Sequence, residues 1–348
     1  MPSYYISLSD FKVVVEKFLE TSLVYAPISS FDRVYFEKIG KDLIDKIVYD
    51  TARPVESPKA FFYPVKETAA KYFESEARHE RPSIVIVGVK ACDATALKAF
   101  DRVLLEGDFI DPSYKAKRDS SFIFGTDCSS IWPTCFCTKV GLKPYPEGSV
   151  DINLVRAQKG FVVEIQSQKG QDFYDKHPYY FRKATIEEMS DLRQSRDNVV
   201  SMLSRMNAVF DYKLPIHEII KGALDVKEWR KITKFCIECG ACNMSCPTCT
   251  CFMLFDKPSG GNYERARLWD ACLKGGYAKV AGGASSRPIL SERYNNRIQC
   301  KFDYSFDRIN MYTCTGCGRC IECCPAKIDM RQAIKDLEGA LALSAKLE

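Results

Sequence analysis

Eight of the 17 cysteines in this 348-residue chain fall into two copies of one spacing, C-x2-C-x2-C-x3-C-P. The first copy is Cys236, Cys239, Cys242 and Cys246, and the second is Cys314, Cys317, Cys320 and Cys324. Three closely spaced thiolates suit one face of a four-iron cube, and bacterial ferredoxins bind such clusters with this run. Structural zinc uses separated C-x2-C pairs and does not need the third cysteine. The spacing therefore predicts two [4Fe–4S] clusters rather than zinc.

The fourth cysteine of each run is expected to bind the cluster of the other run, as in two-cluster ferredoxins. The predicted ligand sets are Cys236, Cys239, Cys242 and Cys324 for cluster 1, and Cys314, Cys317, Cys320 and Cys246 for cluster 2. The 67 residues between Cys246 and Cys314 are too many for a compact bacterial-type ferredoxin. We therefore expect an α-helical ferredoxin-like domain with a long insertion, at about 252–310.

A third group of cysteines lies in the N-terminal half. Cys92 follows one predicted strand at a strand-to-helix turn, Cys128 follows the next strand, and Cys135 and Cys137 lie in the loop sequence PTCFC. Parallel strands of α/β sheets place their sites at their carboxyl ends. Because a cubane needs four ligands, these four cysteines are predicted to bind a third [4Fe–4S] cluster. The alternative is that they are buried free thiols, a common state of cysteine.

Five cysteines have no assigned partner: Cys249, Cys251, Cys272, Cys300 and Cys323. Cys249 and Cys251 lie in PTCTC, which repeats the PTCFC of the N-terminal half, and they are interpreted as auxiliary ligands or as thiols hydrogen-bonded near a cluster. The insertion also contains a set of basic, aromatic and acidic residues: Arg265, Arg267, Trp269, Asp270, Arg293, Tyr294, Arg297, Tyr304 and Arg308. These side chains could donate hydrogen bonds to cluster sulfurs, but packing of the insertion and a subunit contact are favoured.

The elements that must position these cysteines differ between the two halves of the chain. In the first half the predicted strands are 23–26, 34–36, 84–87, 121–124 and 161–166, and the predicted helices are 10–20, 67–74 and one that is capped by Asp93. The run at 84–87 is continuously apolar, which is typical of a strand buried on both faces. Strands that alternate with helices predict an α/β N-terminal domain.

From residue 185 onward the sequence becomes helical in character. Residues 186–205 contain no glycine or proline and have helical apolar spacing, and 328–347 are predicted to close the chain as an amphipathic helix. We place the domain boundary after residue 223. The predicted organisation is an α/β domain with the third cluster site at 1–223, followed by the α-helical dicluster domain at 224–348.

Composition excludes several classes of protein. Acidic residues alternate with the basic ones, so the sequence has no polybasic stretch. Three clusters that each carry a charge of about −2 would also change the formal net charge from +5 to about −1. We therefore expect no nucleic-acid partner. No window has about 18 consecutive apolar residues, and the N-terminus lacks the features of a signal peptide, so we expect a cytoplasmic protein without a membrane span. No GxGxxG motif follows a predicted strand, and the sequence contains no P-loop motif.

Six segments resemble one protein family, the iron–sulfur β subunit of cytosolic sulfhydrogenases together with the corresponding iron–sulfur subunit of anaerobic sulfite reductase. They are GVKACDATALKAFDRVL at 88–104, DPSYKAKRD at 111–119, CSSIWPTCFCTKVG at 128–141, CIECGACNMSCPTCTCF at 236–252, RLWDACLKGGYAKVAGG at 267–283 and CTGCGRCIECCPAKID at 314–329. The chain departs from the family at 285–302, where Cys300 stands near an expected histidine.

The resemblance implies an electron relay in a multi-subunit oxidoreductase. A flavoprotein subunit, which would hold the FAD, would exchange electrons with NAD(P)H or ferredoxin, and this chain would pass them to a catalytic subunit such as a hydrogenase or a sulfite or sulfur reductase. It also supports Cys92, Cys128, Cys135 and Cys137 as ligands of an additional cluster. Two alternatives remain open at this point. One is a reductase whose substrate reacts at an open N-terminal cluster, and the other is a non-redox binding protein with structural metal.

Overall fold

The computed structural model describes residues 3–72, 82–224 and 227–344. Its strands are β1 (Tyr4–Ser7), β2 (Ser22–Ser30), β3 (Arg33–Lys38), β4 (Lys66–Lys71), β5 (Ser83–Val89), β6 (Ser121–Thr126), β7 (Ile152–Ala157), β8 (Gly160–Ile165), β9 (Arg182–Lys183), β10 (Phe252–Ser259) and β11 (Asn262–Trp269). Its helices are α1 (Leu8–Thr21), α2 (Lys59–Phe62), α3 (Ala91–Leu104), α4 (Pro112–Asp119), α5 (Gln168–Lys176), α6 (Ile186–Met206), α7 (Ile216–Gly222), α8 (Glu228–Ile232), α9 (Ala241–Met244), α10 (Leu290–Phe302), α11 (Tyr304–Ile309), α12 (Arg319–Glu322) and α13 (Met330–Ser344).

Contacts divide the chain into two units. The first unit is Met1–Tyr63 with Arg78–Met206, and the second is Pro64–Ala77 with Asn207–Glu348. The short segment that contains β4 therefore belongs with the C-terminal half, although it precedes most of the first unit in sequence. The boundary predicted after residue 223 falls inside the second unit.

The first unit is built on an eight-stranded mixed sheet with the order β3-β2-β5-β6-β7-β8-β1-β9. Strands β2, β5, β6 and β7 are parallel, and the remaining neighbours are antiparallel. The apolar run predicted at 84–87 lies inside β5, between β2 and β6, which explains why it lacks alternation. The α/β character predicted for the N-terminal half is confirmed.

One face of this sheet is covered by α1. The helix begins where the Ser7 hydroxyl accepts a hydrogen bond from the Asp10 backbone N–H at 3.0 Å, as a serine N-cap does. Phe11, Val14 and Val15 of the helix are buried against apolar residues of β2, β5, β6, β7 and β8. Burial of this apolar face stabilises the helix more than its intrinsic propensity does.

Most predicted elements of the first half are confirmed, and two details are wrong. The sequence predicts a helix at 67–74, but β4 forms there instead and pairs antiparallel with β11, while 73–74 lie outside the described residues. The Glu67 carboxylate also forms an ion pair with Arg267 of β11. Pairing with a strand about 200 positions away thus overrides the local helix preference. Asp93 does not cap α3, because the helix already begins after Lys90 and Asp93 lies in its first turn.

The second unit combines a small sheet, in the order β10-β11-β4, with α7 to α13. The predicted insertion at 252–310 comprises the β10–β11 hairpin and the helices α10 and α11. Buried side chains on α7, α10 and α13, among them Ile220, Ile298 and Leu337, form apolar core. Over the residues that the structure describes, no helix has both the length and the apolar character needed to cross a membrane.

Candidate metal centre

The two cysteine runs fold alike. Gly240 and Gly318 occupy matching positions, with φ angles of 73° and 74°, and each is followed by a short helix, α9 or α12. This left-handed conformation is readily adopted by glycine, because it has no Cβ atom. The second residue of each helix is the third cysteine of its run, Cys242 or Cys320. The spacing C-x2-C thus corresponds to a glycine-dependent turn that places the third thiol on a helix.

A second left-handed residue supports the first cysteine of each run. Glu238 and Gly316 have φ angles of 55° and 62°. The backbone N–H of Glu238 donates a hydrogen bond to the Cys236 sulfur, and that of Gly316 donates to the Cys314 sulfur. Burial is the largest cause and raises the pKa of each cysteine, whereas these donors stabilise a thiolate and oppose the rise. Backbone N–H groups are therefore aimed at sulfur in both runs.

The first predicted ligand set lines one pocket of the second unit. Its members are Cys236, Cys239, Cys242 and Cys324. Cys324 belongs to the second run, so the fold brings the fourth cysteine of that run beside the first three of the other. The pocket is also lined by Cys320 of the second predicted set and by Arg297, and the remaining lining residues, among them Ile237, Leu273 and Met330, are mainly apolar. An apolar wall around a cluster controls solvent access and the local dielectric.

Members of the second predicted set also come from both runs and lie near one another. Cys246, from the first run, lies close enough to Cys314 and Cys320 to raise the pKa of both thiols electrostatically, as does Cys317. Burial is the larger cause and raises the pKa of Cys314 to about 12. Buried thiols of this kind deprotonate only when a cation or metal compensates the thiolate charge.

Two buried cations lie beside these thiols, on successive turns of α10. The side chains of Arg297 and Lys301 are 2% and 3% exposed. Arg297 Nη2 donates to the Cys242 carbonyl oxygen at 3.0 Å, and its Nε is buried without a hydrogen-bond partner. Lys301 Nζ donates to the Thr248 hydroxyl at 2.9 Å. Among the described residues, no carboxylate forms an ion pair with either cation.

This arrangement fits an anionic iron–sulfur group. A buried cation without a counter-charge costs several kcal/mol, and a four-iron cluster with four thiolates carries a charge of about −2. Burial lowers the pKa of Lys301, but the thiolates of Cys246 and Cys249 outweigh it and raise the pKa above its usual value. The two cations are therefore matched to negative charge on the cysteine sets.

Three of the N-terminal cysteines, Cys128, Cys135 and Cys137, pack together, and Cys92 and Cys128 each follow the carboxyl end of a parallel strand. Cys92 is the second residue of α3, just after β5, and Cys128 follows β6, which pairs parallel with β5. Cys137 packs against Val199 and Leu203 of α6, together with Cys128 and Cys135. Burial raises the pKa of Cys128 to about 12, and Cys135 raises it further.

A third buried cation, Lys90, accompanies this group. Lys90 is fully buried, and its Nζ donates to the carbonyl oxygens of Tyr49 at 3.2 Å and Asp127 at 2.8 Å. Burial lowers its pKa, whereas negative charge on Cys128 or Cys92 would raise it. Sequence reasoning missed Lys90. Its position directly before the Ala91–Cys92 helix start is the only signal that the sequence offers.

The unassigned cysteines are placed in different surroundings. Asn243 Nδ2 lies 3.2 Å from the Cys272 sulfur and 3.8 Å from the Cys249 sulfur. Cys323 lies 3.2 Å from the Ser245 hydroxyl, and Cys300 is exposed. No three His, Cys, Asp or Glu side chains in the described ranges are grouped so as to hold a single metal ion.

The arginines of the insertion contribute mainly to packing. Three of them form ion pairs inside the second unit: Arg265 with Asp256, Arg267 with Glu67, and Arg293 with Glu238. Arg293 also donates to the backbone carbonyls of Leu273, Arg287 and Pro288. Arg297 differs from these three, because its charge faces cysteines.

Comparisons with known proteins agree with this geometry. Residues 235–328 match the family of 4Fe-4S dicluster domains. The chain is 30% identical over 327 residues to the sulfhydrogenase 2 subunit beta of Pyrococcus furiosus, and the match covers 92% of this chain and 94% of that protein. No solved structure matches the chain significantly. The chain therefore belongs to the sulfhydrogenase β-subunit family and joins a mixed α/β N-terminal domain to a C-terminal 4Fe–4S dicluster domain.

Proposed function

We propose that this chain is a non-catalytic electron-transfer subunit of a multi-subunit oxidoreductase. The observation that carries the proposal is the reciprocal placement of the two cysteine runs, in which Cys324 lines the pocket of the first run and Cys246 approaches the thiols of the second. Exchange of the fourth ligand keeps two clusters close together, as in two-cluster ferredoxins. Bound four-iron clusters supply one-electron transfer over a wide range of potentials.

In this proposal the second unit contains an α-helical ferredoxin-like domain with an insertion, and the N-terminal domain holds a third cluster. The proposed ligands are Cys236, Cys239, Cys242 and Cys324; Cys314, Cys317, Cys320 and Cys246; and Cys92, Cys128, Cys135 and Cys137. The buried cations support all three sets, because Arg297 and Lys301 face the first two and Lys90 faces the third.

The residues of this chain bind, shield and tune these centres. Backbone N–H groups donate to Cys236 and Cys314, apolar side chains exclude water from the pocket of the first set, and Arg297 contributes fixed positive charge. Fixed positive charge stabilises the more negative, reduced state relative to a site without the cation. No general acid or base is needed for this role.

The proposed partners are a flavoprotein subunit that holds FAD and a catalytic subunit. The name of the Pyrococcus furiosus relative, a sulfhydrogenase subunit, favours a hydrogenase or a sulfite or sulfur reductase as the catalytic partner. Single-electron carriers need a flavin to exchange electron pairs with a nicotinamide cofactor, which supports the flavoprotein partner.

The test is the metal content of the anaerobically purified protein, with EPR spectra after reduction. We expect about twelve iron and twelve acid-labile sulfide per chain and interacting signals from reduced clusters. About eight of each would remove the N-terminal cluster and leave the dicluster domain. Zinc without sulfide would overturn the proposal.

A further inference from the structure

The β10–β11 hairpin brings two cysteines outside the proposed ligand sets to one point. The first register pair of the hairpin is Phe252 with Trp269, so Cys251 directly precedes β10. The Asp270 backbone N–H donates to the Cys251 carbonyl at 2.9 Å, which extends the ladder by one step. Cys272 follows two residues later. The two cysteines, 21 positions apart in sequence, thus meet at the base of the hairpin.

The two thiols are in hydrogen-bond contact with each other. The Cys251 sulfur accepts from the Cys272 thiol, from the Cys272 backbone N–H and from the Tyr277 hydroxyl. Asn243 Nδ2 donates to the Cys272 sulfur at 3.2 Å, which fixes the second thiol from the opposite side. The three donors to Cys251 favour its thiolate, whereas the Asn243 donor lowers the pKa of Cys272 and opposes the larger effects that raise it.

The surroundings give the two thiols different roles. The hydrogen bond from Cys272 is the main cause that lowers the pKa of Cys251 to about 6, against the opposing effect of burial. The same contact and burial raise the pKa of Cys272. Cys251 is partly exposed and Tyr277 is 39% exposed, whereas Cys272 is 9% exposed. An accessible thiolate beside a buried thiol is the arrangement of an attacking and a resolving cysteine.

We infer that Cys251 and Cys272 form a redox-active dithiol that reacts reversibly with small-molecule disulfides. This site is independent of the proposed electron-transfer function, because neither cysteine belongs to a proposed cluster. Their contact at a strand end suits a disulfide, which needs a sulfur–sulfur bond of about 2.05 Å and closely placed backbones.

The exchange balances with one external disulfide. The Cys251 thiolate attacks one sulfur of the external disulfide, forms a mixed disulfide and releases one thiolate. The Cys272 thiol then loses its proton and attacks the Cys251 sulfur, which forms the internal disulfide and releases the second thiolate. The two cysteines lose two electrons and the single proton of Cys272, and the external disulfide gains both and becomes one thiol and one thiolate. An excess of external thiol reverses both steps.

The experiment equilibrates the anaerobically purified, cluster-loaded full chain in buffers with different ratios of reduced to oxidised glutathione. After acid quenching and alkylation, peptide mass spectrometry measures the fraction of chains with a Cys251–Cys272 disulfide. We expect this fraction to depend on the ratio [GSH]²/[GSSG] according to a single equilibrium constant. It should fall again when reduced glutathione is restored. Cys272→Ser should instead accumulate glutathione on Cys251.

The exposed Cys300 provides the matched control, and Cys300→Ser should leave the internal disulfide unchanged. The inference is overturned if Cys251 and Cys272 stay unpaired at every ratio while iron and sulfide contents are those of the wild-type protein. It is also overturned if Cys251→Ser or Cys272→Ser lowers the iron or zinc content, since the two cysteines would then be metal ligands. Metal analysis of the wild-type chain tests the electron-transfer proposal separately.

Discussion

At the residue scale, the buried cations link the amino-acid sequence to the chemistry of the cysteines. Arg297 and Lys301 have no carboxylate ion-pair partner among the described residues, and both act electrostatically on cysteines of the two runs. A buried charge without its partner is strongly destabilising, so the two buried cations favour a bound anion beside them. Because Arg297 interacts with both Cys242 and Cys320, we expect it to influence the potentials of the dicluster domain.

Replacement of Arg297 should make the dicluster domain harder to reduce. We expect Arg297→Gln to shift a midpoint potential by about 50–100 mV in the negative direction, equivalent to about 1–2 kcal/mol for one electron, because the reduced state carries one more negative charge. An EPR-monitored redox titration measures the shift. Arg308→Gln, an exposed change in the same unit, should leave the potential unchanged. If Arg297→Gln had full iron content and an unchanged midpoint potential, Arg297 would not influence the clusters electrostatically.

Substitution of a single cysteine of the N-terminal group tests the proposed third cluster. Cys137 is buried against α6 and interacts electrostatically with Cys128 and Cys135. Because serine is a poorer ligand for iron, Cys137→Ser should lower the iron content by about four per chain and leave the EPR signals of the dicluster domain in place. Cys300→Ser should lose no iron. Equal iron content in both variants would mean that the N-terminal cysteines are free thiols.

At the element scale, the distance between neighbouring elements determines whether a glycine can be replaced by a larger residue. A Cβ atom at Gly160, the first residue of β8, would collide with backbone atoms of Ile6 and Ser7 in β1. At Gly339, inside α13, a Cβ atom would meet nothing within 4 Å. The same chemical change should therefore have opposite effects at these two positions.

We expect Gly160→Ala to destabilise the protein by about 1–3 kcal/mol through overpacking of the β1–β8 pair. Gly339→Ala should stabilise α13 by up to about 1 kcal/mol, because alanine has the higher helix propensity. The thermal unfolding midpoint of the anaerobic protein should fall in the first variant and stay or rise in the second, by about 2–4 °C per kcal/mol. A fall of equal size in both would refute this account.

At the scale of the whole molecule, cluster loading and folding should be coupled. A ligand that binds only the folded state stabilises it by mass action, and the proposed clusters would also neutralise the buried Arg297 and Lys301. Removal of iron with a chelator under anaerobic conditions should lower the thermal midpoint by several degrees. Lys301→Met should reduce the difference between loaded and metal-free protein, because one uncompensated buried charge is gone. Equal thermal midpoints for the cluster-loaded and the metal-free wild-type protein would exclude this coupling.

The sequence alone determines much of the candidate site, because its strongest signals are local. The spacing C-x2-C-x2-C-x3-C-P requires only short turns, so Cys236 to Cys246 and Cys314 to Cys324 could be recognised without a structure. The signals that predict strand β5 and helix α3 are equally local, because the continuous apolar run and the helix after it lie within one short stretch of chain. These signals predict the family and the dicluster domain, and both predictions are confirmed.

Only the tertiary structure decides features that depend on distant partners. Lys66–Lys71 becomes a strand because β11 offers its edge, against the helix preference of alanine, glutamate and lysine. Lys90 and Lys301 become buried because remote elements cover them, and a basic residue in a sequence gives no sign of this. Cys251 meets Cys272 because the hairpin register brings its two ends together. Burial and long-range pairing are properties of the folded chain, so local spacing could not predict them.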